Sequence, residues 1–118
     1  MSKHLSPSRG EVWYVDLDPT VGHEQAKRRP CLVISNNAFN QDDSGLFVIV
    51  PLTSKTKNNP FHIPVKTSES GLRKPSFILC DQIRTVSEDR FDGACLGLVN
   101  QNILNRVEYA LKILLELY

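Results

Sequence analysis

The run Leu46-Phe47-Val48-Ile49-Val50 places five consecutive apolar residues between an Asn- and Asp-rich segment and Pro51. Such a run is too short for a core helix, and its unbroken apolarity requires cover on both faces. It therefore reads as a buried strand, with Pro51 at its exit. Cys31-Leu32-Val33-Ile34 is a shorter run with the same requirement. A chain of 118 residues that must cover two such strands on both sides has room for one compact core and no second one.

The flanking segments supply the cover. Glu11 to Leu17 alternates polar and apolar residues as a half-buried strand does, and Asp18-Pro19-Thr20 stops it. Phe61 to Val65 alternates as well, and its prolines mark an edge strand. Ser76 to Ile83 and Ala94 to Val99 read as further strands, and Ser87 with Glu88 and Asp89 reads as the cap and first turn of a short helix. Gly22 to Arg29 and Asn36 to Gly45 read as loops. The last segment changes period: Ile103, Leu104, Val107, Leu111, Leu114 and Tyr118 recur at helical steps, with Asn100 or Asn102 available as cap. The expected fold class is mainly β, a small curled and partly open β-barrel with a C-terminal helix packed on it. Residues 1–8 read as a flexible N-terminal tail and residues 9–118 as the single domain.

A net charge of +1 excludes a binder of the histone kind, yet a local basic patch suffices for nucleic acid. The three cysteines (Cys31, Cys80 and Cys95) lack C-x-x-C spacing and sit among apolar residues, so reduced core thiols are expected. No apolar stretch resembles a signal peptide or a membrane span, which points to the cytoplasm. His4, His23 and His62 lie apart without metal-ligand spacing, and there is no phosphate-cradling Gly-rich loop. No metal site and no cofactor are expected.

Three polar groups stand at strand ends. Gly22-His23-Glu24-Gln25-Ala26-Lys27-Arg28-Arg29-Pro30 gathers an imidazole, a carboxylate, an amide and three cations before a buried strand. Arg29 there can hold a phosphate with its planar fork, although such a loop can equally be a solvated surface. Thr53-Ser54-Lys55-Thr56-Lys57 offers hydroxyls and ammonium groups after the next buried strand; an ordinary turn has the same composition. Asp81-Gln82-Ile83-Arg84-Thr85 closes another strand, with Gln82 either a buried structural amide or a reader of base edges.

The ordered blocks Arg9-Gly10-Glu11-Val12-Trp13, Asp16-Leu17-Asp18-Pro19, Gly22-His23-Glu24-Gln25, Arg29-Pro30-Cys31-Leu32-Val33-Ile34-Ser35, Pro51-Leu52-Thr53-Ser54 and Asp81-Gln82-Ile83-Arg84-Thr85-Val86 resemble the MazF/PemK family of toxin endoribonucleases, over about residues 9–117. The resemblance implies a PemK/CcdB-like SH3-type barrel, a homodimer, and sequence-specific cleavage of single-stranded RNA. It implies a cognate antitoxin whose peptide tail wraps the toxin, with operator DNA bound only by the toxin–antitoxin complex. It places the catalytic pair on Arg29 and Thr53, and Glu24, Gln25 and Gln82 along the RNA groove. Ala26-Lys27-Arg28 departs from the glycine-containing link of many members, adding cations and stiffening the loop.

The chemistry expected of that family needs no metal, because RNA carries its own nucleophile in the 2′-OH. Arg29 would neutralise phosphoryl charge, Thr53 would donate to a non-bridging oxygen, and Glu24 or His23 would take the 2′-OH proton. The RNA-binding residues expected beside them are His23, Gln25, Lys27, Ser54, Lys57 and Gln82, with Lys55 on the flanking backbone and Trp13 or Phe61 stacking on bases. A CcdB-like non-enzymatic toxin that poisons gyrase shares the fold. It would have no use for Arg29 and Thr53 in one groove.

Overall fold

A computed structural model of the chain describes residues 6–55 and 58–117. Its strands are β1 (Glu11–Asp16), β2 (Arg28–Val33), β3 (Leu46–Thr53), β4 (His62–Val65), β5 (Ser76–Leu79), β6 (Arg84–Ser87) and β7 (Phe91–Leu98). All pair antiparallel in the order β4-β5-β3-β2-β1-β7, with β6 added to β3. The mainly β fold with a C-terminal helix agrees with the sequence reading.

Strand β3 is the spine. One edge pairs with β2; the other is divided, Leu46 to Ile49 pairing with β6 and Leu52 with Thr53 pairing with β5. The strand therefore continues through Pro51 rather than ending there. Between β5 and β6 the chain makes a 3₁₀ turn, Cys80–Gln82. The single strand expected from Ser76 to Ile83 is thus broken after Leu79, because the polar Asp81 and Gln82 leave the ladder in this turn. Ser87 does cap a short helix, a 3₁₀ turn over Glu88–Arg90, by accepting from the Asp89 amide. Edge strand β4 carries Pro64, as its composition requires.

Both faces of the central strands are covered. Val12, Leu32, Val50 and Leu52 face one core, completed by Ile63, Ile78 and the terminal helix. Trp13, Val15, Cys31, Val33 and Ile49 face a second, closed by Phe47, Val86 and Phe91. Trp13 is therefore a core residue: its ring meets Phe91 edge-on and its indole N–H donates to Glu11 (2.9 Å), which removes it as a base-stacking platform. Phe61 is half-buried against the first core, on a face formed by β4 and the terminal helix, not beside the polar loops.

Two four-residue helices, α1 (Asn37–Asn40) and α2 (Thr67–Ser70), precede the long α3 (Gln101–Leu115). Asn36 caps α1 within the segment read as a loop. Asn100 is the α3 cap, accepting from the Ile103 amide (3.0 Å). Ile103, Leu104, Val107 and Ala110 are the buried α3 residues; Leu111 and Leu114 are only half-buried, and Tyr118 lies outside the described residues. Arg9 ties the entry strand to the helix through an ion pair with Glu108 and a bond to the Ile34 carbonyl.

Helix α2 meets β7 backbone to backbone. A Cβ on Gly71 would fall 2.2 Å from the Leu96 carbonyl oxygen, and one on Gly97 would fall 2.4 Å from that of Ser70. Only glycine permits this approach, and Gly71 also has φ +76°. Cys31 and Cys80 are buried as expected, but Cys95 is exposed, because β7 is an edge strand whose outer residues face solvent. Among the described residues no helix is long and apolar enough to cross a membrane.

Candidate active site

Strand β2 starts at Arg28, so Arg29 is a strand residue and not part of a loop. Its neighbour across β1 is Val15, and Cys31 faces Pro51 on β3. Carrying the β2–β3 register two residues further sets Arg29 opposite Thr53, the last residue of β3. The two side chains, 24 positions apart in the chain, line one groove of about 470 Å³ together with Ser54. Thr53 is buried, and its hydroxyl accepts from the Lys55 amide (3.3 Å). Arg29 is half-buried, its Nε held by the Ala26 carbonyl (3.1 Å). That bond orients the fork, and among the described residues its terminal amino groups have no hydrogen-bond partner and can face an anion.

Part of this groove's lining was not legible in the sequence. The α2–β5 connection brings Arg73 and Lys74 to it, positioned by the Gly71–Gly97 contact. Tyr14 lines the groove too, and the Arg28 guanidinium lies 3.9 Å above its ring while also pairing with Asp92 (2.6 Å). Arg29, Arg73 and Lys74 thus bring three cations to one groove.

His23, Glu24, Gln25 and Gln82 line a second cleft, of about 390 Å³. It adjoins the first at the end of β3, where Pro51 lines one and Leu52 the other. Glu24 lines the second cleft, Arg29 and Thr53 the first. The Glu24 carboxylate accepts from the Val21 amide within its own loop (2.8 Å). Gln82 braces that loop from outside: its Oε1 accepts from the Gln25 amide (3.2 Å) and its Nε2 donates to the His23 carbonyl (3.4 Å). Arg84 and Arg90 hold the loop's base through the carbonyls of Leu17, Asp16 and Asp18. Lys27, exposed at φ +68°, donates its amide to Asp18 (2.9 Å). Asp81 also lines this cleft, a residue given no role from the sequence. Lys55 is exposed beside Thr53, and Lys57 lies outside the described residues.

No three His, Cys, Asp or Glu side chains among the described residues converge as metal ligands. Burial pushes the Cys31 and Cys80 thiols up to about 12, so neither offers a thiolate nucleophile near neutral pH. What the two clefts present is an arginine–hydroxyl pair with the chemistry to hold an anion, beside a loop that carries an imidazole, a carboxylate and an amide.

The chain belongs to the family of PemK-like, MazF-like toxins of type II toxin–antitoxin systems, whose family model matches residues 8–115. It is 39% identical to the endoribonuclease PemK of Escherichia coli over 100 residues, 84% of this chain and 74% of that protein. The crystal structure of MazF from Deinococcus radiodurans superposes with a TM-score of 0.84 at 29% identity, covering 97% of this chain and all of that one. An endoribonuclease in complex with its cognate antitoxin from Mycobacterial species matches with a TM-score of 0.77 at 29% identity, over 95% of this chain and 97% of that one.

Proposed function

We propose that this chain cleaves single-stranded RNA as the toxin of a type II pair, without a metal, and with Arg29 and Thr53 at the scissile phosphate. The observation that carries this reading is the register of β2 on β3, which sets a half-buried guanidinium and a buried hydroxyl across one groove. The 2′-oxygen attacks phosphorus and forms the cyclic ester as the bond to the 5′-oxygen breaks. A base takes the 2′-OH proton and an acid returns one to the departing oxygen. Arg29, always protonated, neutralises the phosphoryl oxygens and is unsuited to be the base. Thr53 donates to a non-bridging oxygen. His23 and Glu24, across the end of β3, are the candidates for the base, and Gln25 and Gln82 read base edges. Lys27, Lys55 and Lys57 grip the flanking backbone, and Ser54 binds RNA beside Thr53.

The partners that follow are a cognate antitoxin whose peptide tail covers the toxin, and a second copy of the chain in a cytoplasmic homodimer. Purified protein incubated with mixed-sequence RNA in EDTA tests the reading. Fragments should carry 2′,3′-cyclic phosphate and 5′-OH ends at a recurrent motif. Loss of cleavage in EDTA refutes the metal-free chemistry, and intact RNA in every buffer refutes the enzyme.

A further inference from the structure

His62 is the one residue among those described whose buried side chain leaves a polar atom, Nδ1, without a partner. An apolar side chain would suit that interior better, so the imidazole is kept for what its other nitrogen does. Nε2 lies 3.0 Å from Asp81 Oδ1, and with a carboxylate as its partner it is the donor. The ring is almost fully enclosed, while Asp81 is about a third exposed at the mouth of the second cleft.

Asp81 stands in the middle of the 3₁₀ turn Cys80–Gln82, which steps the chain from β5 to β6. Edge strand β4 and the residue before it hold this turn twice, through the Asp81 bond to His62 and through the Cys80 amide, which donates to the Phe61 carbonyl (3.0 Å). Gln82, the next residue, braces the loop of His23 and Gln25. A continuous series of bonds therefore runs from a buried edge-strand histidine to the amide at Gln25.

We propose that His62 is a positioning residue for RNA recognition: by holding Asp81 it fixes the turn that aims Gln82, and so sets the shape of the His23–Gln25 loop. This rests on the ribonuclease reading for its effect on RNA, but its effect on the loop stands apart from it.

The test compares His62→Phe, which fills the site without a donor, with His62→Gln, which restores one. In His62→Phe the Gln25 amide should exchange with solvent about tenfold faster while amides of β1 and β3 keep their rates. KM for RNA should rise about five- to tenfold with kcat within about twofold, and the cleavage motif should broaden. His62→Gln should return both exchange and KM toward the parent. An unchanged Gln25 rate overturns the proposal, as does faster exchange throughout the sheet with kcat and KM worsening together, the mark of a merely structural residue. If His62→Phe does not fold, Asp81→Ala and Gln82→Ala are combined. Non-additive effects on KM support transmission through the turn, and additive ones refute it. If the parent cuts no RNA the ribonuclease reading has failed, and the exchange arm still decides the role of His62.

Discussion

The two clefts are built to different mechanical standards. Arg29 and Thr53 belong to β2 and β3, strands in the middle of the sheet, so their Cα positions are set by ladders that involve no side chain. His23, Glu24 and Gln25 stand on a connection between β1 and β2 whose shape depends on side-chain bonds from Gln82, Arg84 and Arg90. Charge stabilisation at a reacting phosphate loses much of its effect with small displacements, so a rigid support suits it. Reading a single strand needs adaptable contacts, and a braced loop provides them. If the proposed roles hold, bond breaking and sequence choice can be altered separately.

The largest effect should come from the rigid side. Arg29→Ala is expected to lower kcat by about a thousandfold with little change in folding, and Arg29→Lys should recover only part of it, because an ammonium lacks the fork. Single-turnover cleavage of a defined RNA measures both, and near-parental activity in Arg29→Ala would remove it from the chemistry. Thr53→Val, nearly isosteric, should cost roughly ten- to a hundredfold in kcat with KM held. A change in KM alone would instead make Thr53 a binding residue. On the adaptable side, Gln82→Ala should raise KM about tenfold and broaden the cut motif while kcat stays within a few-fold. A thousandfold loss of kcat there would erase the contrast between the clefts.

The smallest effect probes rigidity without RNA. Cys31 lies in β2 and Cys80 in the turn of the second cleft, both buried, whereas Cys95 is exposed. Alkylation at pH 8 should modify Cys95 first, Cys80 next and Cys31 last, by mass of the digested fragments. Equal rates for the last two would mean that the turn opens no more readily than the strands. Burial raises both thiols from 9.0 to about 12, so the fold keeps protons that the unfolded chain loses above pH 9. Their contribution to stability is complete below pH 9 and is lost as pH climbs toward 12, visible as a falling urea midpoint.

How much of this could be read in the sequence follows from where each signal lies. The terminal helix was legible because a helical period over fifteen residues leaves little ambiguity, while its cap stayed open between Asn100 and Asn102 until the structure showed Asn100. The four-residue α1 and α2 are too short to show any period. The break between β5 and β6 was hidden because Asp81 and Gln82 look like strand-end residues until the divided edge of β3 is seen. Trp13 misled because it follows Val12: both are buried, on opposite faces of a strand covered twice. In the site, Arg29 and Thr53 were individually unremarkable polar residues at strand ends, and family resemblance rather than local pattern singled them out. Arg73 and Lys74 gave no signal, because their place at the groove depends on contacts between residues distant in the chain, such as that of Gly71 with Gly97.

Strand β3 serves three neighbours at once, and this limits how the gene can change in length. Inserting or deleting one codon within Leu46–Thr53 would turn every side chain beyond it to the opposite face. The Thr53 hydroxyl would leave the groove, while the half of the strand paired with β6 stayed in place. The shortest length change that preserves both partnerships is a pair of residues, so natural or engineered toxins of this design should differ by even numbers in this stretch. Length variation of any parity is left to the connections between strands.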